Sequence, residues 1–241
     1  MLEAKIESVF LDEHIRVIHK PVNISFHTDD HAQGIVTLVK AAYPGETLLP
    51  IHRLDKITSG LMVFARSSKA NEVLSKMLED KQIEKYYLAL SQHKPSKKQG
   101  AVIGDMKKGR RGSYLLLREK NKPACTHFFA KPLFTSDKRY WFFVLKPETG
   151  KTHQLRVAMK SLASPVLGDT RYEQSVEDKQ EDRGYLHAYK MRFDLFGKRY
   201  EICDPNFFGE CFKLQDHLDH NDIESLLKPE LLHWPKRAFR L

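Results

Sequence analysis

The sequence has few cysteines and no long apolar run. Its 241 residues include only three cysteines, Cys125, Cys203 and Cys211, and no two of them form a CxxC pair. An odd number of widely spaced cysteines does not suit a disulfide framework and favours a reducing compartment. No stretch reaches the roughly 18 apolar residues of a membrane span, and the N-terminus lacks the apolar core of a signal peptide. We therefore expect a soluble cytoplasmic protein without membrane contact.

The chain also lacks the motifs of several enzyme classes. It contains no GxxxxGK[ST], GxGxxG or GxSxG, so nucleotide hydrolysis, dinucleotide binding and serine hydrolysis have no support. Twelve histidines are present, but neither His27 with His31 nor His217 with His220 belongs to a complete set of zinc ligands. We expect neither a metal nor a cofactor.

Positive charge is what the chain has in excess. It contains 40 Lys and Arg against 31 Asp and Glu, which gives a formal net charge of +9. Clustered cationic side chains gain free energy by displacing counterions from a phosphate backbone, so nucleic acid is the leading candidate partner. A solvated basic surface explains the same charge. The charge alone leaves both interpretations open.

Hydrophobic periodicity predicts a mixed α+β protein. Helices are predicted at Ile35–Ala42 and after Ser67 or Ser68, which can cap a segment with apolar residues at helical spacing. Apolar, aromatic and β-branched stretches predict strands at 16–20, 61–65, 86–90, 126–133, 141–146 and 185–196. Because strands outnumber helices and often follow one another, regular βαβ alternation is not favoured. The length suits one core, so we predict a single domain over 1–241.

Two polar stretches interrupt this pattern. Residues 94–112 are basic and contain glycines, whereas residues 173–184 are acidic. We interpret the basic stretch as an arm that grips phosphates, with a solvated hairpin as the default alternative. The acidic stretch is interpreted as surface. The basic residues of the arm that we expect to contact phosphates are Lys107, Lys108, Arg110 and Arg111.

The most informative stretch is IHRLDKITSGLMVFA at 51–65. Its carboxylate, Asp55, lies just before a predicted buried strand, on a loop that rigid structure would hold in place. A purely structural interpretation also fits: Asp55 caps a turn with Thr58 and Ser59, while Arg53 forms a salt bridge. Local physical arguments leave both interpretations open.

The motif HRLDKITSGLMVFAR closely resembles the HRLDxxTSGLLLxAK signature of the RluA-type pseudouridine synthases. Members of this family convert uridine in RNA to pseudouridine without cofactor or metal. The resemblance implies that Asp55 is the catalytic nucleophile and that Arg53 enters the RNA to help extrude the target base. It also implies the fold: a mixed, largely antiparallel central β-sheet flanked by helices and loops, with an RNA-binding cleft.

Two N-terminal motifs extend the resemblance. HKPVNISFH at 19–27 is similar to NKPxGLxVH, with Asn23 in place of the usual glycine. Because Asn tolerates a left-handed backbone, we expect the turn to survive. EKYY at 84–87 is similar to the K-x-Y motif, whose tyrosine lines the uracil pocket. The match falls on Tyr87, and Tyr86 would point to the opposite side of a strand.

Later motifs complete the match. TGKTHQLR at 149–156 resembles TGRxHQIR, whose final arginine pairs with the catalytic aspartate, a role that falls on Arg156. Lys151 replaces an arginine and keeps the charge without the bidentate fork, so we expect an altered grip on RNA. PVLGDTRY at 165–172 and LHA at 186–188 match shorter family elements. The remaining motif residues predicted to contact RNA are Lys20, His52, Thr58, His153 and Gln154.

The resemblance runs from about residue 10 to about residue 200 and implies a complete catalytic domain. We expect no S4 domain ahead of it, since the catalytic pattern begins almost at Met1, and an extension of unassigned role over 206–241. The expected partner is structured RNA, ribosomal or transfer, and the expected oligomeric state is a monomer.

Two other functions are consistent with parts of the sequence. One is an RNA-binding assembly factor that keeps the fold but has no activity, which the absence of Asp55 or Arg156 would favour; both residues are present. The other is a metal-dependent nuclease using Asp55, Asp105 and Asp169, which suits the basic charge but lacks a tight carboxylate cluster. The synthase remains the preferred interpretation.

Overall fold

The computed structural model describes residues 6–28, 32–134, 139–173, 181–206 and 224–235. The predictions made for His31, Cys211, His217 and His220, and for part of the acidic stretch, lie outside these ranges. The chain divides into two units: unit 1 comprises Met1–Lys85 and His187–Phe207, and unit 2 comprises Tyr86–Leu186 and Phe208–Leu241. Within the described ranges, no helix has the length and apolar character needed to cross a bilayer.

Strands predominate over helices in both units. The strands are β1 (Glu7–Leu11), β2 (Ile15–Lys20), β3 (Leu49–Pro50), β4 (Thr58–Ala65), β5 (Glu84–Ser91), β6 (Gln99–Gly104), β7 (Met106–Lys108), β8 (Tyr114–Leu116), β9 (Ala124–Phe134), β10 (Arg139–Pro147), β11 (Leu186–Leu195) and β12 (Lys198–Cys203). The helices are α1 (Ile35–Ala42), α2 (Ser68–Glu79) and α3 (Gln154–Ser161), with short 3₁₀ turns at Arg110–Gly112, Glu224–Leu227 and Pro229–Leu231.

The strands of unit 1 are organised around β4. They lie in the order β1-β2-β4-β11, with β12 on β11 and β3 on β4. Strand β4 is buried along its whole length, which explains its continuous apolar sequence. It runs antiparallel to β2, so that Lys20 lies opposite Gly60. Gly60 has a φ of 104°, and a Cβ there would overlap the backbone of Ala188 on β11.

The helices of unit 1 begin where the sequence predicts. Helix α1 has the predicted bounds, and Ser67 rather than Ser68 is the N-cap of α2. The Ser67 hydroxyl accepts a hydrogen bond from the backbone N–H of Ala70 at 3.1 Å. The apolar face of α2 buries Leu74 and Met77.

Unit 2 contains antiparallel strands in the order β5-β10-β9-β6 and a separate ribbon of β7 and β8. One face of these strands carries a buried cluster that includes Phe128 and Phe143. Helix α3 contributes Leu155 and Met159 to this cluster. The hydrophobic stripe of α3 thus fixes which of its residues point away from the strands.

The structure confirms the predicted mixed α+β fold with a mostly antiparallel sheet, and it corrects two details. Residues 94–112 are not an excursion throughout, because Gln99–Gly104 forms β6 of the sheet, paired with β9. The predicted strand at 185–196 ends at Leu195, and a turn with φ near 50° at Phe196 and 77° at Gly197 leads into β12. Strand β12, which the sequence interpretation missed, pairs antiparallel with β11.

Candidate active site

Asp55 lies at the start of a tight turn directly before β4. Its carbonyl oxygen accepts a hydrogen bond from the N–H of Thr58 at 3.0 Å, and the residue is partly exposed. Thr58 itself is only 3% exposed because it begins the buried strand. The geometry therefore assigns Thr58 to the support of the turn and does not favour the predicted contact with RNA.

The first motif holds this turn from one side. Lys20 is completely buried, and its ammonium donates to the carbonyl oxygens of Pro21 and Thr58, each at 2.8 Å. An ammonium enclosed in this way supports the loop, so the predicted role of Lys20 in contacting RNA is not supported. Asn23 has a φ of 65° and donates its N–H to the carbonyl of Lys56 at 2.8 Å. The left-handed turn predicted for Asn23 is confirmed.

His52 connects the same turn to β4 by a hydrogen bond. Its Nε2 accepts the backbone N–H of Val63 at 3.1 Å, so this nitrogen carries no proton. Burial, with the nearby charge of Lys85, lowers the pKa of His52 to about 3. His52 is therefore neutral at physiological pH and anchors the loop rather than attracting phosphate. Arg53 is exposed, with its guanidinium carbon 5.7 Å from the ring centroid of Phe26.

The two tyrosines of β5 face opposite sides of the sheet in unit 2. Tyr87 is partly buried and packs against the cluster that contains Leu155 of α3. Tyr86 is 1% exposed and lies on the other side, 6.0 Å from the ring of Trp234 and 5.4 Å from the ammonium of Lys146. The alternation agrees with the sequence interpretation and puts Tyr87 on the side of α3. Its role in the uracil pocket stays a prediction.

Arg156 on α3 is held rigidly by a partner that the sequence did not reveal. Its guanidinium donates from Nε and Nη2 to the two carboxylate oxygens of Asp169, at 2.7 and 2.8 Å, and lies 5.0 Å from the ring centroid of Tyr172. Arg156 is 5% exposed and Asp169 is completely buried. This pair uses two of the five N–H groups of a guanidinium, so the same side chain can also bind a second acceptor. The predicted pairing with Asp55 joins residues of different units and stays a prediction.

His153 precedes α3 in a left-handed conformation, with a φ of 57°. Its Nδ1 lies 3.0 Å from the hydroxyl of Tyr172, and that oxygen also accepts the backbone N–H of Tyr114 at 2.8 Å. Because the tyrosine oxygen accepts from Tyr114, its hydrogen is available for His153. Burial raises the pKa of Tyr172, which keeps the phenol neutral.

Gln154 fixes the loop ahead of α3. Its carbonyl oxygen accepts from the Thr149 hydroxyl at 2.7 Å and from the N–H of Lys151 at 3.0 Å. Its amide nitrogen donates to the Cys125 carbonyl and the Thr126 hydroxyl, both at 3.0 Å. Gln154 is 5% exposed, so these bonds make it a brace for the loop and do not favour the predicted RNA contact. Lys151 is exposed.

The predicted arm is a basic hairpin, here defined as Met106–Leu116. Lys107 and Lys108 lie on β7, opposite Leu115 and Tyr114 of β8. The four predicted RNA-contacting residues of the hairpin, Lys107, Lys108, Arg110 and Arg111, are all exposed. The hairpin is not a free arm, because Tyr114 bonds to Tyr172 and the carbonyl of Arg111 accepts from Arg171.

Two of the three carboxylates invoked for a metal-dependent nuclease have other partners. Asp169 pairs with Arg156, and Asp105 accepts the backbone N–H groups of Asn121 and Lys122 at 3.0 and 2.9 Å. In the part of the chain that the structure describes, no three His, Cys, Asp or Glu side chains come together as metal ligands. The nuclease interpretation gains no support.

Comparison with known proteins decides the family. The model of the RNA pseudouridylate synthase family matches residues 14–161 of this chain. The chain belongs to this family. An RNA pseudouridine synthase of Haemophilus influenzae is 44% identical over 203 residues, which cover 84% of this chain and 88% of that protein. The dual-specificity RNA pseudouridine synthase RluA of Escherichia coli is 31% identical over 187 residues, covering 75% of this synthase and 83% of that one.

Solved structures agree on the fold. The human RNA pseudouridylate synthase domain containing 1 superposes with a TM-score of 0.75 at 21% identity, covering 88% of each chain. The family model and the two relatives confirm the RluA-type resemblance seen in the motifs, and the synthase is an isomerase that acts on RNA. A catalytically silent factor is not favoured.

Proposed function

We propose that this synthase converts uridine to pseudouridine through the carboxylate of Asp55. The observation that carries the proposal is the Asp55 turn: its backbone is hydrogen-bonded to Thr58, and its neighbours are clasped by buried Lys20 and by Asn23. Asp55 remains partly exposed. A rigid loop that presents one carboxylate is what a nucleophile or base needs, since catalytic groups must be held close to their productive geometry.

The reaction needs one carboxylate and no redox partner. The C1′–N1 bond breaks, the uracil turns, a C1′–C5 bond forms, and the proton on C5 leaves while N1 gains one. Asp55 can serve by attacking the sugar or the ring, or by removing the C2′ proton to give a glycal. All three routes begin from the ionised form of the carboxylate.

We propose that the target uridine is flipped out of a structured ribosomal or transfer RNA. Extrusion of a base costs a few kcal/mol, and the exposed guanidinium of Arg53 can offset part of this cost by occupying the vacated space. The exposed cations of the basic hairpin and Lys151 supply charge for the phosphate backbone. The name of the Escherichia coli relative describes it as dual-specificity, which supports a substrate range beyond one RNA.

The cellular setting of the synthase is part of the proposal. The sequence has only three cysteines and no CxxC pair, in keeping with a reducing compartment such as the cytoplasm. We propose a monomer, as the family resemblance implies.

The test is Asp55→Asn, which removes the charge and keeps the size of the side chain. We expect no pseudouridine after prolonged incubation with a mixed ribosomal and transfer RNA pool, while the melting temperature and RNA affinity stay close to those of the wild type. Asp194→Asn is the matched control, since it makes the same change at an exposed position of β11 in the same unit. Normal product from Asp55→Asn would remove Asp55 from its proposed role.

A further inference from the structure

Behind the Asp55 turn, unit 1 contains a chain of polar side chains that the proposed reaction does not use. We call the set His19, Ser59, His187 and Asp204 the His187 network. Ser59, His187 and Asp204 are at most 1% exposed, whereas the side chain of His19 is 21% exposed. Buried polar groups of this kind are expensive unless each has a partner, and a fully bonded set specifies one arrangement of its neighbours.

The partners of His187 determine which of its ring nitrogens donates a hydrogen bond and which accepts one. Its Nε2 lies 2.9 Å from the carbonyl oxygen of Asp204, which can only accept, so this nitrogen carries the hydrogen. The neutral ring then offers Nδ1 as an acceptor to the Ser59 hydroxyl at 2.9 Å. His19 donates from Nδ1 to the Asp204 carboxylate at 2.5 Å.

The charge of Asp204 is consistent with this assignment. Burial alone would raise the pKa of its carboxyl group, but the hydrogen bond from His19 helps to hold that pKa below its usual value. The carboxylate also accepts the backbone N–H of Asn206 at 3.0 Å. An ionised Asp204 therefore ties β2 to the segment that follows β12.

The network ends at the base of the Asp55 turn. Ser59 directly follows Thr58, whose N–H donates to the carbonyl of Asp55 and whose carbonyl accepts from Lys20. At the next position, Gly60 touches the backbone of Ala188, the residue after His187, with no room for a side chain. A shift of His187 is thus passed through Ser59 to the first residues of β4, since close contact leaves no slack.

We propose that His187 is a positioning residue for Asp55, which acts through the hydroxyl of Ser59 to set the backbone of the catalytic turn. This role rests on the proposed function of Asp55. Misplacement of a reacting group by about 1 Å can cost about a hundredfold in rate without affecting the binding of the rest of the substrate. Loss of the Ser59 contact should therefore lower the turnover rate and leave the affinity for RNA unchanged.

Two substitutions of His187 separate its two hydrogen bonds. Asn carries its polar atoms near the place of Nδ1 and can still accept from Ser59, whereas Gln reaches the place of Nε2 and keeps only the bond to Asp204. We expect His187→Gln and Ser59→Ala each to slow single-turnover product formation about 10-fold to 100-fold, with the dissociation constant for RNA within about twofold of the wild type. His187→Asn should restore most of the rate. The double variant Ser59→Ala with His187→Gln should be no slower than the slower of its two single variants, because both changes remove the same hydrogen bond.

The control for a merely structural effect is Tyr200→Phe. It removes one part-buried hydrogen bond in the same unit, from the Tyr200 hydroxyl to Asp12 at 2.7 Å. Tyr200→Phe should lower the melting temperature about as much as Ser59→Ala does and keep the wild-type rate. If Tyr200→Phe slows the reaction as much as Ser59→Ala, or if His187→Asn is as slow as His187→Gln, the positioning role is wrong.

The same variants separate this inference from the proposed function. Product formation by Asp55→Asn would overturn the role of Asp55 and the positioning role with it. An inactive Asp55→Asn beside fully active Ser59→Ala and His187→Gln would overturn the positioning role alone.

Discussion

At the scale of single residues, two side chains of the same type can have very different surroundings. Tyr86 packs under Trp234 and beside the Lys146 ammonium, whereas Tyr87 faces the cluster that includes Leu155 of α3. Lys20 and Lys151 differ in the same way, one enclosed by carbonyl groups and the other exposed. Residue type alone therefore does not indicate which side chain meets RNA.

Tyr87→Phe tests the tyrosine assignment. Loss of the hydroxyl should slow the chemical step by at least about tenfold and weaken RNA binding much less, because proton transfer by a positioned group contributes to turnover rather than affinity. Single-turnover kinetics with a separate binding assay measure both quantities.

Tyr86→Phe makes the identical change on the other face of β5. We expect it to alter thermal stability and to keep the wild-type rate. An unaffected rate in Tyr87→Phe would mean that Tyr86, or neither tyrosine, lines the uracil pocket.

At the scale of elements, the basic hairpin is attached to the segment that orients Arg156. Tyr172 accepts from Tyr114 of β8 and contacts His153 at the start of α3. Asp169, in the same segment, forms the bidentate pair with Arg156. Hydrogen bonds thus connect the basic hairpin, which we propose as an RNA contact, to the start of α3 within unit 2.

Replacing all four cations of the hairpin with Gln tests its role in RNA binding. The affinity should fall, and its dependence on salt should become less steep, by about 0.7–0.9 in the slope of log K against log salt for each phosphate that the hairpin no longer neutralises. Binding titrations at several salt concentrations measure the slope. The variant is Lys107→Gln, Lys108→Gln, Arg110→Gln and Arg111→Gln combined.

The control is Lys40→Gln with Lys69→Gln, compared with Lys107→Gln and Lys108→Gln as a pair. Lys40 and Lys69 are exposed on α1 and α2, so the two double variants remove the same charge from different elements. An unchanged slope for the hairpin variants would leave the hairpin as ordinary surface.

The sequence was informative for elements with a strong local pattern and less so for short or polar ones. The buried run of β4 and the Ser67-capped helix α2 follow directly from apolar spacing and capping. Strand β6 was not predicted, because its two glycines and its polar first residue are typical of loops. Strand β12 alternates buried Tyr200 and Ile202 with exposed residues, and this alternation is the sequence signal that indicates a strand there.

In the candidate site too, local motifs predict some residues, whereas others are found only in the folded chain. The motifs predict Asp55, Tyr87 and Arg156 as site residues, and the alternation of side chains along a strand separates Tyr87 from Tyr86. The partners Asp169 and Tyr172 lie 13 and 19 residues from Arg156 and His153. No local rule connects such positions, so only the folded chain reveals these contacts.

At the scale of the whole molecule, the chain combines a net charge of +9 with two units that are each built on antiparallel strands. The charge suits a polyanionic substrate, and the proposed chemistry relies on side chains of the protein. The single-domain organisation expected from the sequence stays a prediction.

Removal of divalent metal tests this account of the reaction. We expect full pseudouridine formation in excess EDTA with an RNA that folds in monovalent salt, because the proposed steps need only side chains of the protein. Pseudouridine is quantified with and without the chelator, and RNA length is followed on a gel. Chelator-sensitive activity, or cleavage of the RNA, would favour metal-dependent chemistry instead.

The packing of β4 against β11 at Gly60 has a consequence for genetics. In a saturation screen scored by loss of pseudouridine, every substitution at position 60 should fail as completely as those at Asp55, although Gly60 has no functional group. A parallel readout of protein abundance in cells would separate the two, since only the Gly60 alleles should be depleted as misfolded protein. Intolerance to substitution in this synthase thus marks tight backbone contacts as well as chemistry.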